Sequence, residues 1–218
     1  DLNTGSATSG SDYTAIPGGA QISVADGQST GSFTVTVTDD ALLEDTETVT
    51  AQISNSSNSD VTITTASATA NITDNDTAEV TIAATTNAQE TGTVSGQFTV
   101  SMSAASDTDT VISYTIAGSA TAGGTDYTTL SGSVTILANQ TSAVIDVTGI
   151  VDDALFEADE TVQVTLTGIT SGDGDITVGG ANQADISIID NEVVNAVLSV
   201  TTDGDEDGPV NIVYTVTL

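Results

Sequence analysis

Two stretches of the chain, T-D-D-A-L-L-E-D-T-E from Thr38 to Glu47 and V-D-D-A-L-F-E-A-D-E from Val151 to Glu160, repeat one acidic spacing, D-D-x-x-x-E-x-x-E. Asp39, Asp40, Glu44 and Glu47 in the first match Asp152, Asp153, Glu157 and Glu160 in the second, 113 residues later. The chain holds 31 acidic residues and no lysine, arginine or histidine, a formal charge of −31. Two carboxylates about 4 Å apart repel by roughly 4 kcal/mol at an effective dielectric near 20. The missing counter-charge must come from solution. A donor set of carboxylates alone suits a hard cation such as calcium, which takes about six to eight oxygens, often from bidentate carboxylates.

Glutamate usage favours a metal cage over a solvated acidic turn. Of the eight Glu, four occupy these loops and two more, Glu90 and Glu206, occupy one other matched position; exposed strand positions carry Thr and Ser instead. Leu43 and Phe156 each precede the first Glu of a loop and are expected to plug it into the core. Asp159 does not recur at its matched position and reads as a solvated acid.

The same composition excludes much other chemistry. Without Lys or Arg there is no footprint for nucleic acid or anionic lipid. Without His or Cys there is no Ser-His-Asp or Cys-His nucleophile and no ordinary zinc site, and the absence of Cys rules out a disulfide framework. No apolar run reaches membrane-spanning length, so direct membrane insertion is not expected. Paired carboxylates could in principle serve a glycosidase, but here they cluster on one loop without an aromatic platform, and the reading is non-catalytic.

The elements that must position these acids are strands. Phe33, Val35 and Val37 alternate with Thr; Val49, Ala51 and Ile53, then Ala68, Ala70 and Ile72, do likewise, as do Val162, Val164 and Leu166, and Ile186 with Ile188. A period of two marks strands with one apolar face. With 20 Gly, 2 Pro and no convincing helical segment, the pattern predicts an all-β sandwich. Thr148-Gly149, between Val147 and Ile150, reads as a β-bulge just before the second acidic loop.

Repetition sets the boundaries. D-Y-T at Asp12 recurs at Asp126, and I-T-D-N-D ending at Asp76 recurs as I-I-D-N-E ending at Glu192. Residues 77–194 form a complete unit, residues 1–76 a unit lacking its first strands, and residues 195–218 the first two strands of a third. A sandwich without two strands exposes an apolar cleft and bare edges. Either a continuous array or strand donation from the 195–218 tail of another copy would cover it, though joining the two ends leaves a gap of about eleven residues relative to the complete unit.

The combination G-S-A-T-x-G-x-D-Y, the D-D-x-x-x-E-x-x-E loop and a closing I-x-D-N-[DE] resembles the Calx-β domain, known from sodium–calcium exchangers, an integrin cytoplasmic region and arrays in bacterial surface proteins. That resemblance implies an immunoglobulin-like antiparallel sandwich with Ca2+ in the loops at one end. For the complete unit it implies ligands at Glu90, Asp126, Asp152, Asp153, Glu157, Glu160, Asp190 and Glu192, and for the first unit at Asp12, Asp39, Asp40, Glu44, Glu47, Asp74 and Asp76. Only Glu206 represents the third unit. Exchanger domains carry a longer acidic run after the last strand, which leaves the ion count open. Tyr13 and Tyr127 are expected to be core anchors.

Two further acidic runs compete for attention. D-G-D-E-D-G, Asp203–Gly208, opens like a helix-flanked calcium loop, but Tyr214 stands where that loop needs Glu and both flanks read as strands. S-G-D-G-D, Ser171–Asp175, reads as a hairpin loop, with an accessory ion site as the alternative. The expected role is a calcium-stiffened repeat of an extracellular bacterial adhesin or surface filament. Its partners are neighbouring domains or other copies. A calcium-sensing module or an accessory domain of a secreted hydrolase are the alternatives.

Overall fold

Apolar–polar alternation becomes strand nearly everywhere in this computed structural model, which describes residues 2–15, 20–208 and 210–218, with no helix among them. The first unit contributes β1 (Leu2–Thr4), β2 (Glu47–Gln52) and β3 (Ser67–Ile72), a 3-stranded sheet in that order. The complete unit contributes β4 (Ala78–Thr86), β5 (Ala88–Gln89), β6 (Gly96–Met102), β7 (Thr110–Ala117), β8 (Ser133–Ile136), β9 (Ser142–Val147), β10 (Glu160–Ser171), β11 (Ile176–Val178) and β12 (Gln183–Ile189). These make a 5-stranded sheet, β5-β12-β10-β7-β8, and a 4-stranded sheet, β11-β4-β6-β9. The ladders are antiparallel except at two edges, where β11 pairs with β4 and β5 with β12 in parallel. This is an immunoglobulin-like β-sandwich.

The core lies between the two sheets. Val162, Val164, Leu166, Ile186, Ile188, Ile112 and Ile136 from one face pack in a single buried cluster with Val80, Ile82, Phe98, Val100, Ile145 and Val147 from the other. Each such side chain stabilises the fold by about 1.5–3 kcal/mol through removal from water. Tyr127 is buried and belongs to the same cluster, and Tyr13 is buried in the first unit, as expected for anchors.

The first unit departs from the alternation. Phe33, Val35 and Val37 form no strand, and Val37 makes only an isolated antiparallel bridge to Tyr13. The physical reason is a missing partner: in the complete unit the corresponding β9 pairs with β6, and residues 1–76 contain no counterpart of β6. Ile22, Val24, Phe33 and Val37 are consequently exposed. Two loops also differ from expectation. The β6–β9 ladder runs without irregularity to Val147, so Thr148-Gly149 is a step beyond the strand end rather than a bulge within it, with Gly149 at φ 67°. Ser171–Asp175 joins β10 to β11 in the opposite sheet, so it is an arch between layers rather than a hairpin.

The tail folds as β13 (Val197–Thr202) and β14 (Val213–Thr217), a 2-stranded antiparallel pair. Its register, Leu198↔Val216 and Val200↔Tyr214, repeats Ile82↔Val100 and Ala84↔Phe98 of β4–β6. D-G-D-E-D-G therefore sits in a turn between strands, not in a helix-flanked loop.

Candidate metal centres

Both acidic loops are held at one end of their sheet by the same hydrogen bonds. In the complete unit Thr161 N donates to Ser119 Oγ at 2.9 Å, Ser119 N to Thr161 Oγ1 at 3.2 Å and Ala120 N to Thr161 O at 3.0 Å. In the first unit Thr48 N donates to Ser6 Oγ at 3.0 Å, Ser6 N to Thr48 Oγ1 at 3.1 Å and Ala7 N to Thr48 O at 3.2 Å. This lattice seats the G-S-A-T segment against the strand that begins with the last acid of the loop, Glu160 or Glu47. The leading glycine is required there. A Cβ on Gly118, whose φ is 120°, or on Gly5 would overlap the carbonyl oxygen of Thr161 or Thr48. Gly118→Ala is expected to cost more than about 1 kcal/mol in thermal unfolding and to weaken metal binding, because it pushes Glu160 off its strand end. An unaltered melt and unaltered calcium titration would show the glycine to be dispensable.

The aspartate of each D-Y pair is fixed next. Asp12 and Asp126 accept hydrogen bonds on Oδ2 from Thr8 N and Thr121 N, while their carbonyls accept from Thr38 N at 2.9 Å and Val151 N at 3.1 Å, tying them to the start of the acidic loop. The closing aspartates complete the ring: Glu44 N donates to Asp74 Oδ2 at 3.2 Å and Glu157 N to Asp190 Oδ2 at 3.3 Å. Asp74 Oδ1 also accepts from Asn75 N and Asp76 N, so the linker turns around a carboxylate that faces the loop.

Among the described residues, two groups result in which carboxylate oxygens lie within 4.8 Å of one another, Asp12 with Glu44 and Glu47, and Glu90 with Asp190 and Glu192. The first opens into a cleft of about 360 Å³ that Asp39, Asp40, Asp45, Asp74 and Asp76 also line. Burial pushes Glu90 up to about 7, with the charges of Asp190, Glu192, Glu157 and Asp153 adding to it. Burial likewise pushes Glu47 and Glu160 up to about 7, helped by the hydrogen bond that each shares with Asp12 or Asp126. Glu44 is raised by burial and then by Asp12, Asp40, Asp107 and Asp74. Asp76 and Glu192 are raised by desolvation and by their neighbours Asp74 and Asp190.

A hard divalent cation fits this arrangement. Every donor is an oxygen, and the buried atoms Asp190 Oδ1 and Glu192 Oε2 have no hydrogen-bond partner. Unpaired buried carboxylate oxygens are costly, and calcium would satisfy them. Its ligands would come from Glu90, Asp190, Glu192 and the surrounding Asp126, Asp152, Asp153, Glu157 and Glu160 in one site. In the other they would come from Asp12, Asp39, Asp40, Glu44, Glu47, Asp74 and Asp76.

Of the ligands that the resemblance implies, Glu206 alone stands apart, exposed in the β13–β14 turn. Asp159 is closer to the site than a solvated acid, its Oδ1 accepting from Asp190 N at 3.4 Å. Asp45 and Asp107 carried no sequence signal. Asp45 has Ala158 at its matched position, and Asp107 belongs to the complete unit yet faces the loop of the first, raised by burial and then by Asp45 and Asp173.

Leu43 corrects the expectation for the plug. It is fully buried, but in the core cluster of the following unit, with its N–H donating to Ala105 O at 2.9 Å and its carbonyl accepting from Asp107 N at 3.0 Å. Phe156, at the matched position, is 60% exposed.

The family model described as Calx-beta domain matches residues 2–76 and 77–192. No curated protein matches the chain. Among solved structures, the chain is similar to the crystal structure of CBD12 from CALX1.2, at 16% identity and a TM-score of 0.44 over 58% of this chain and 48% of that one. It thus spans about half the length of that relative. It is also similar to the apo-form Calx CBD1 domain, at 15% identity and a TM-score of 0.41 over 54% of this chain and 100% of that one.

Proposed function

Because this chain belongs to the Calx-beta domain family, whose domains bind calcium, we propose that it is a structural repeat of an extracellular, bacterial adhesin or surface filament in which calcium stiffens the joints between units. The observation that carries this reading is the position of the first acidic cleft. Its walls include the linker acids Asp74 and Asp76, and its loop is docked through Leu43 onto the next unit. A cation there joins a domain, its linker and its neighbour's docking loop into one body. Without it, the carboxylates of Asp12, Glu44, Glu47 and Asp74 repel, and the joint is free to hinge. The role is mechanical and asks for no catalytic group.

Strand donation extends the same reading. The β13–β14 pair has the register of β4–β6 and leaves Leu198, Val200, Tyr214 and Val216 exposed, while the first unit exposes Ile22, Val24, Phe33 and Val37 where strands of that type are missing. One segment complements the other by strand addition. Small-angle scattering tests the joint: calcium should give a longer and narrower distance distribution than chelator, and identical profiles would count against stiffening. In the same samples, polymers that grow with concentration should disappear on deletion of residues 195–218; a monomer at every concentration would remove the donation reading alone.

A further inference from the structure

The two acidic loops carry matched apolar pairs, Leu42-Leu43 and Leu155-Phe156. Their fates differ sharply. Leu43 is fully buried, whereas Leu155 and Phe156 are 61% and 60% exposed. The backbone of Leu43 forms a parallel bridge to Ser106, and its side chain joins a cluster whose other members all come from the complete unit. The receiving loop, residues 103–109, is braced from behind, since Asn139 N donates to Ser106 O at 2.7 Å and Ala138 N to Asp109 Oδ1 at 2.8 Å. It is a formed socket.

We propose that Phe156 is a second inter-unit plug, whose partner is the corresponding socket of a Calx-beta unit directly downstream. The partner follows from register. The pair β13–β14 repeats β4–β6 at a spacing of 116 residues, so Leu218 matches Met102, and a unit that continued this register would place its counterpart of the 103–109 socket next in sequence. A second copy of this chain is the poorer partner, because its own 103–109 socket already holds its Leu43. The inference rests on reading the chain as a tandem repeat, and the docking it describes is apolar and backbone-mediated, separate from metal ligation.

The chain contains no cysteine, so a single introduced thiol reports on its own surroundings. Three proteins suffice: Leu43→Cys and Phe156→Cys in this chain, and Phe156→Cys in the chain lengthened after Leu218 by a repeat of residues 103–192, which completes the third unit in register. In calcium, Leu43→Cys is expected to react with a bulky maleimide at least about ten-fold more slowly than Phe156→Cys, and lengthening should slow Phe156→Cys to a similar degree. Equal Phe156→Cys rates in the short and lengthened chains overturn the proposal. Slowing in the short chain that grows with concentration also overturns it, by making a second copy the partner. Fluorophenylalanine labelling leaves the plug intact: the fluorine resonance that Phe156→Leu removes from the short chain should shift on lengthening, and an unshifted signal is again fatal. Failure of calcium binding would appear instead as a melt insensitive to chelator, with the labelling contrast unaffected.

Discussion

Stripping calcium from the chain is expected to lower the thermal midpoint of the complete unit by roughly 15 °C. One site held at about a thousand times its dissociation constant adds about 4 kcal/mol to the folded state by mass action, and in a unit of this size each kcal/mol moves the midpoint by about 4 °C. The loss is large because the cation is the only positive charge on offer. Glu90, Asp190 and Glu192 lie within 4.8 Å of one another, in a chain with no Lys, Arg or His to substitute for it. Scanning calorimetry with calcium and with excess chelator is the measurement. Magnesium should restore only part of the shift, since it demands a smaller, near-octahedral shell and gives up its waters reluctantly. Superimposable traces with and without chelator would remove calcium from the account of these loops.

Much of this site was legible in the sequence because the chain states it twice. A single acidic loop is ambiguous, but Asp39, Asp40, Glu44 and Glu47 against Asp152, Asp153, Glu157 and Glu160 hold one spacing while most of the loop between them varies. The closing acids Asp74 and Asp190 were found the same way. Residues present once were not. Asp45 lines the first cleft, Asp107 of the other unit adds its charge to that of Glu44 beside it, and nothing in the primary sequence relates the two. Strand content was legible where partners exist within the chain, and was misjudged at Phe33–Val37, where alternation is intact but β6 has no counterpart. Alternation specifies a face to bury; it cannot supply the neighbouring strand that makes burial possible. Leu43 failed for a related reason. Its type and position indicated a plug, yet which core receives a plug depends on how successive units stack, and that is not a local property of sequence.

Protons and calcium compete for the same oxygens, so acidification is expected to act in opposite directions on the two forms. Glu47, Glu90 and Glu160 are raised to about 7 from an ordinary 4.5 in the metal-free fold. A carboxyl raised by folding binds its proton more tightly in the folded state than in the unfolded one. Its stabilising contribution is therefore fully present below about pH 4.5 and is lost as pH rises through about 7. In chelator, the midpoint should climb as pH falls from about 8 to about 5, and relief of the −31 self-repulsion pushes the same way. In calcium, the midpoint should fall over that interval, because protonation removes ligands and weakens the cage, until the two curves meet. Glu90→Gln separates local from global effects. At about pH 8 the variant should melt higher than the parent chain in chelator, having lost a buried charge that repels Asp190 and Glu192, and lower than the parent in calcium, having lost a ligand. Parallel curves in the two buffers, or the same sign of Glu90→Gln effect in both, would mean that these carboxylates face solvent rather than a shared ion.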